Sequence, residues 1–296
     1  MGRNSSLCLL LIAGLLSGSL TGCLFRTRKA DHVVLRTTNL QQATLNDLVK
    51  NIEAEAAKIK TLNATVDIAP SVENKKKAEV TDYTEIRGYI LMRAPDMLRM
   101  IGLFPVVRNR AFDMVSDGKS FKVSLPTQNK FIVGPNEAPE KPSPNTLENL
   151  RPHVIFESLL LHAIHSDETP VLEQSTEIVR EEKTKKNVEI PDYIVDVIKR
   201  QESGAILSRK IVFSRVDLKP HRQLIYDNQG QLATEAIYEN FADYQGTSFP
   251  SQITINRPQE GYSIQLTIVK LTLNEPLKDE QFELQQPPGS RLQVLK

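Results

Sequence analysis

The chain has 296 residues, with 37 lysines and arginines against 36 aspartates and glutamates, for a formal net charge of +1 at pH 7. A nucleic-acid-binding protein would show a basic excess, so this balance argues against nucleic acid as a partner. Two cysteines are too few for a disulfide-rich scaffold, so the fold must be stabilised by its apolar core.

The first 22 residues have the layout of a secretory signal. Arg3 supplies a positive charge, residues 7–16 are apolar, and small residues fill most of 17–22. The apolar stretch is too short to span a bilayer, which requires about 20 apolar residues. We therefore predict an exported protein rather than one held by a transmembrane helix.

The segment that follows resembles the bacterial lipobox, since it reads Leu20-Thr21-Gly22-Cys23. The resemblance implies cleavage between Gly22 and Cys23, a diacylglycerol on the Cys23 thiol and an acyl group on its amine. These covalent lipids are the only cofactors expected. The alternative is an ordinary signal peptide with a chance cysteine. The mature chain is thus predicted to hold a lipidated cysteine and flexible tether over 23–43, then one domain over 44–296.

The domain begins with a predicted amphipathic helix. Its apolar stripe consists of Leu45, Leu48, Val49, Ile52, Ala56 and Ile59, and Thr44 can cap its start. The period then changes to two, which predicts strands at 62–69, 84–94, 97–103, 110–116, 121–125, 130–133, 192–199, 210–217, 222–226, 232–244, 253–255 and 263–274. Short turns between them indicate antiparallel neighbours.

The last long strand changes face midway. Ile264, Leu266 and Ile268 alternate with polar residues, and then Val269, Leu271 and Leu273 continue in the opposite phase. A bulge near Ile268-Val269 explains the change and favours a curved sheet. We predict a mainly β, α+β fold, in which a curved antiparallel sheet forms a half-open barrel covered by helices.

One helical insertion interrupts the strands. Prolines punctuate 135–144, Asn145 and Glu148 form a capping-box pattern, and Pro152 can begin a helix. The apolar face of this helix would contain Val154, Ile155, Leu159 and Leu160. Residues 180–186 are highly charged and have the composition of a hairpin tip.

No sequence feature supports catalysis. The mature chain has no GxSxG, P-loop, GxGxxG or CxxC motif. His162, His165 and Asp167 have permissible spacing for a metal site. Surface histidines at a helix C-terminus are the favoured interpretation, so we predict neither an enzyme nor a metal site.

The order of elements resembles the lipoprotein-carrier superfamily of the Lol system, which contains the carrier LolA and the receptor LolB. The strand, apolar loop, strand and hairpin over 96–134 and the ending over 277–289, with Phe282, Leu284 and Pro287, carry the resemblance. It implies an apolar cavity for acyl chains, a lipid or lipoprotein cargo, and a periplasmic carrier or other envelope protein as partner. Leu24 replaces the Asp of the inner-membrane retention signal, which implies an outer-membrane protein facing the periplasm.

An apolar loop is the second candidate site. Leu103, Phe104, Pro105, Val106 and Val107 lie between two predicted strands, followed by Arg108 and Arg110. Receptors of the LolB type carry an apolar loop at a similar point, which implies that Leu103, Phe104 and Val106 insert into a bilayer. In the alternative interpretation, Phe104 and Val106 belong to the core. Two functions therefore remain open: an acyl-chain-binding lipoprotein, or a structural or adaptor lipoprotein with a packed barrel and a protein-binding surface.

Overall fold

A computed structural model describes residues 33–35, 39–74, 77–136, 151–180, 185, 187–202 and 204–295. The chain forms two compact units. The first consists of Met1–Arg36 with Ile178–Glu189, and the second of Thr37–Glu177 with Ile190–Lys296. In the first unit, strand β1 (Val33–Leu35) pairs in parallel with residues 187–189. This strand lies inside the segment predicted to be a tether, and its partner follows the predicted hairpin tip.

The remaining elements follow in chain order. They are α1 (Leu45–Lys58), β2 (Thr61–Asn74), β3 (Glu79–Asp82), β4 (Ile86–Arg93), β5 (Met97–Leu103), β6 (Arg110–Asp117), β7 (Ser120–Leu125), β8 (Lys130–Pro135), α2 (Pro152–Leu159), β9 (Glu168–Arg180), β10 (Asn187–Gln201), β11 (Gly204–Ser214), β12 (Pro220–Tyr226), β13 (Leu232–Tyr244), β14 (Thr247–Arg257), β15 (Tyr262–Leu273) and β16 (Arg291–Val294), with 3-10 turns at Pro126–Gln128 and Asp279–Phe282.

The second unit is built on one sheet with the strand order β10-β11-β12-β13-β14-β15-β2-β4-β5-β6-β7-β8-β16, with β3 on β2 and β9 on β10. Strands β15 and β2 pair antiparallel and join an early arm, β2 to β8, to a late arm, β10 to β15. The sheet does not close on itself. Helix α2 contacts β5 and β6 on one arm and β13 and β14 on the other. The sheet must therefore curve around α2, which confirms the half-open barrel.

The predicted bulge is present. The pairing of β15 with β2 shifts register between Ile268 and Lys270, so Val269 is the extra residue and is half exposed. Ile264, Leu266 and Ile268 before it, and Leu271 and Leu273 after it, are all buried. The bulge thus keeps both apolar runs in the core although their phases differ.

Both predicted helices are confirmed. In α1, the Thr44 hydroxyl accepts a hydrogen bond from the Asp47 N–H, and the Asp47 carboxylate accepts one from the Thr44 N–H. Leu48 and Ile52 on its apolar stripe are buried.

Residues 41–43 already contact the domain, because the Gln41 N–H donates to the Arg215 carbonyl at 2.7 Å. The domain's contacts thus begin before the predicted boundary at residue 44.

Two features depart from the predicted antiparallel pattern. Strand β16 runs parallel to β8 at an edge of the sheet, and β1 runs parallel to β10. Before β16, the closing segment lays Leu284 against Val115 and Phe131 on the outer side of β6 and β8. This second, smaller cluster explains why β6 is buried on both faces.

Candidate functional site

Helix α2 occupies the interior of the half-barrel. Six of its eight residues are buried, namely Pro152, Val154, Ile155, Phe156, Ser158 and Leu159. The Ser158 hydroxyl donates to the Val154 carbonyl at 2.7 Å, so the one buried hydroxyl on this face has a partner inside the helix. The helix can therefore lie against the apolar sheet without leaving a polar group unpaired there.

The interior around α2 is packed. Val154, Ile155 and Leu159 share one buried apolar cluster with inward-facing residues of both arms, such as Met100 and Ile253. A small cavity of about 40 Å³ lies near Ile59, Leu159, Leu161, Tyr238 and Phe249. The position expected for acyl chains is therefore filled by side chains of α2.

Tyr238 is the polar exception in this apolar region. Its side chain is almost fully buried, and its hydroxyl has no hydrogen-bond partner. Burial raises the pKa of the phenol, so the hydroxyl is neutral at every pH at which the protein works. An unpaired buried hydroxyl costs free energy, which marks this point as one where the packing is not complete.

The predicted membrane loop divides into two parts. Phe104 is half-buried and packs against the main core, and Leu103 ends β5 with an intermediate exposure. Val106 is 97% exposed and Val107 is 65% exposed. The loop is closed by the Phe104 N–H, which donates to the Asn109 carbonyl at 2.9 Å, while Pro105 and Arg108 are exposed. The two valines thus form the apolar tip.

The two arginines after the tip have different surroundings. Arg110 donates to the Asp113 carboxylate at 2.8 Å, and Arg99 contacts the same carboxylate at 3.0 and 2.8 Å. Because the Asp113 side chain is only 1% exposed, its charge must be compensated within the protein, and both arginines form ion pairs with it. Arg110 is thus engaged within the protein, whereas exposed Arg108 lines a surface groove of about 440 Å³ beside the loop.

A cavity of about 360 Å³ with a mixed polar and apolar lining lies between the two arms beside α2, and we call it the polar cavity after its charged and histidine side chains. Three parts of the fold line this cavity. From the early arm come Asp96, Gly118 and Asn136, and from α2 come His153, Phe156 and Glu157. The late arm contributes Lys199, Ser208, Arg209, Gln223 and Tyr226. His162, His165 and Glu168 complete it from the segment after α2. Sequence reasoning did not identify this site.

Arg209 organises this cavity. Its guanidinium donates to the carbonyls of His162 and Ala163, both at 2.8 Å, and to the Glu168 carboxylate at 3.0 Å. Both side chains of the ion pair are 8% exposed. The pair thereby fixes the segment after α2 on β11. Gln223 fixes the helix itself, because its amide donates to the Glu157 carbonyl at 3.1 Å.

Burial controls the charge of the cavity. Burial, with a smaller contribution from Arg257 and Arg151, lowers the pKa of His153 to about 4. Burial and Arg209 lower the pKa of His162 to about 4 as well. Burial also raises the pKa of Glu157. Both imidazoles are therefore neutral at pH 7.

His162 and His165 were predicted to lie on the surface at a helix C-terminus, and His162 differs from that prediction. His162 is half-buried, with its ring centroid 5.4 Å from that of Phe156, and α2 ends before it at Leu159. His165 and Asp167 are exposed. No group of three metal-ligating side chains occurs in the part of the chain that the structure describes. Gly22, Cys23, the Asn145–Glu148 capping box and most of the predicted hairpin tip lie outside it.

No family model matches the sequence, and no curated protein is significantly similar to it. Solved structures do match. A LolA superfamily protein from Nitrosomonas europaea superimposes with a TM-score of 0.50 at 14% identity, covering 82% of this chain and 99% of that one. A putative outer membrane lipoprotein-sorting protein domain from Vibrio parahaemolyticus gives 0.49 at 13%, over 80% and 95% of the two chains. The first of these matches shows that the domain has the LolA-like fold, as the sequence predicted.

None of the helices within the described ranges is long and apolar enough to cross a membrane.

Proposed function

We propose that this chain is a lipid-anchored protein of the bacterial cell envelope whose half-barrel binds acyl chains of lipids or lipoproteins at the position occupied by α2. The main support for this proposal is the position of α2. This eight-residue helix lies between the two arms and fills the interior of the half-barrel. Removing the helix would expose a concave apolar surface of the kind that small-molecule sites use.

The ends of α2 support this proposal. Arg151 precedes the helix without a side-chain cap, and no acidic residue lies in its first turn. A short helix lacking these stabilising features owes its stability to tertiary packing. An acyl chain offering equivalent apolar contacts could therefore exchange with it at a small net cost.

The envelope location rests on the N-terminal sequence. The lipobox at 20–23 supplies the anchor, and Leu24 in place of Asp favours the outer membrane. The exposed valine tip would rest on the lipid surface, next to Arg108. Such a protein would receive cargo from a periplasmic carrier or hold an envelope partner.

A structural or adaptor lipoprotein is the second candidate, and the packing around α2 favours it. The cavity of about 40 Å³ is too small for an acyl chain. In that case α2 is a permanent part of the core, and function lies on the outer surface.

Lipid content distinguishes the two candidates. The chain from Leu24 onward is exported behind a cleavable signal, purified without detergent and extracted with organic solvent for mass spectrometry. Binding of acyl chains predicts a stoichiometric lipid in the extract and uptake of a fluorescent fatty acid that this lipid displaces. An extract without lipid, together with no uptake of the probe, would refute the proposal and favour the adaptor.

A further inference from the structure

Four buried polar atoms without a hydrogen-bond partner line the polar cavity between the arms. His153 Nδ1, His162 Nε2, Arg209 Nε and Gln223 Oε1 are all buried and lack a hydrogen-bond partner within the protein. All four side chains line this single cavity. Gln223 is 1% exposed and Arg209 is 7% exposed, so bulk water does not readily reach them.

These atoms make a mixed set of donors and acceptors. Arg209 Nε can only donate, and Gln223 Oε1 can only accept. Each neutral imidazole carries one donor and one acceptor nitrogen. Leaving such groups unpaired is unfavourable, because each has given up its hydrogen bonds to water. A group that both donates and accepts, as a hydroxyl does, would satisfy this set, whereas a carboxylate or phosphate would satisfy only the donors.

The charges around the cavity also point to an uncharged ligand. The buried Arg209 is balanced by Glu168, and both imidazoles are neutral at pH 7. On the rim, the exposed side chains of Lys199 and Asp96 carry opposite charges. Glu157 supplies no positive charge to an anion, and in its ionised form it would repel one. A charged ligand would therefore lose its hydration without gaining an unpaired counter-charge.

Apolar surface completes the cavity. Phe156, Ile225 and Tyr226 contribute to its lining. Sugars and glycerol present both C–H surface and hydroxyl groups, so they match a lining of this mixed character. The volume of about 360 Å³ is within the range of small-molecule sites, which is about 300–1,000 Å³.

We propose that this cavity binds an uncharged, hydroxyl-bearing group of the size of a hexose or a glycerol unit. The group could come from a free polyol or from the headgroup of a lipid. The site does not require acyl-chain binding, so it goes beyond the function proposed above and can be tested without it.

Saturation-transfer NMR tests the site on the lipidated protein in phosphatidylcholine nanodiscs, with empty nanodiscs as the blank. The probes are glucose, glycerol and acetate at millimolar concentration. We expect a signal from glucose or glycerol and none from acetate. Gln223→Leu and His162→Phe each remove one hydrogen bond to the probe, so each should weaken the affinity for the probe roughly threefold to tenfold. Gln265→Leu on β15, outside the cavity, should leave the signal unchanged.

Thermal melting of each variant shows whether it folds. The deciding measurement is the probe signal of the wild-type protein, which does not depend on any variant. No signal from any hydroxyl-bearing probe with wild-type protein would mean that the cavity holds water only and would overturn the proposal. An acetate signal that Gln223→Leu abolishes would overturn the uncharged class. Repeating the glycerol measurement in phosphatidylglycerol nanodiscs separates the two sources. If the cavity binds a lipid headgroup, the headgroup should compete with free glycerol and reduce the glycerol signal. If the cavity binds only a free polyol, the glycerol signal should be the same in both kinds of nanodisc.

Discussion

Single residues in the apolar loop have opposite environments although they are adjacent in sequence. The sequence indicated an apolar segment at 103–107 and left open whether it serves the membrane or the core. Phe104 packs against the core, and Val106 is exposed. Hydrophobicity alone could not separate them, because the separation depends on a backbone turn in which Val106 and Arg108 both have positive φ, at 66° and 52°.

This geometry predicts different effects for the two positions. In the chain from Leu24 onward, Val106→Ser combined with Val107→Ser should reduce flotation with phosphatidylglycerol-containing vesicles and leave the melting temperature unchanged, because both side chains are exposed. Phe104→Ala should lower the free energy of unfolding by about 1–3 kcal/mol, since it removes a half-buried ring. Flotation and thermal melting measure the two effects. Flotation that is unaffected by the double substitution would exclude the valine tip as a membrane contact.

At the scale of elements, periodicity predicted most of the sheet and both helices. Strands β5 and β13 were predicted with their observed bounds, and the phase change in β15 located its bulge. The strands that were missed, β1, β3, β9 and β16, are short or largely exposed and show no clean alternation. The positions of β1 and β16 depend on pairing with distant strands, whereas β3 and β9 pair with the strands next to them in sequence but are largely exposed and carry no apolar face that a local pattern could reveal.

The polar cavity could not be predicted for a similar reason. Its residues come from α2, from β10 to β12 and from turns of the early arm, and they share no spacing in the sequence. His162 was noticed only for its distance from His165. The burial that makes it neutral arises from the packing of α2 between the arms, which is a tertiary property.

The packing of α2 yields a prediction at the same scale. Ile155→Ala and Leu159→Ala each remove a large side chain that fills the interior, and each should cost about 2–5 kcal/mol of stability. If acyl chains compete with α2 for this space, both variants should also take up more of a fluorescent fatty acid. Val269→Ala at the exposed bulge should change neither property. Variants that are destabilised without increased uptake would show that α2 is a permanent core element.

For the whole molecule, the proposed attachment to the membrane would depend on one thiol. Cys23→Ser should abolish incorporation of a fatty-acid analogue in cells and leave a precursor that keeps its signal, because the serine hydroxyl is a poorer nucleophile than the thiol. Cys8→Ser within the signal is the matched control and should be labelled and processed normally. Gel mobility and label intensity report both outcomes. Equal labelling of the Cys23 variant would contradict the lipobox assignment.

The stability of the whole domain should depend on two neutral histidines, His153 in α2 and His162 shortly after it. An unfolded histidine has a pKa near 6.5, whereas His153 and His162 have a pKa of about 4 in the folded protein. Below pH 6.5 the unfolded state therefore binds more protons than the folded state. The stability that these residues contribute is complete above pH 6.5 and is lost as the pH falls towards 4.

The raised pKa of Glu157 acts in the opposite direction, because its contribution is present at low pH and is lost as the pH rises. Between pH 6.5 and 4.5 the two histidines should dominate, so the melting temperature should fall by several degrees as the pH is lowered. His153→Phe and His162→Phe should each flatten this slope, Glu157→Gln should leave the fall in place, and His165→Phe at an exposed position should not alter it. A slope that is the same in wild type and in both buried-histidine variants would mean that these imidazoles are not held neutral by the packing of α2 between the arms.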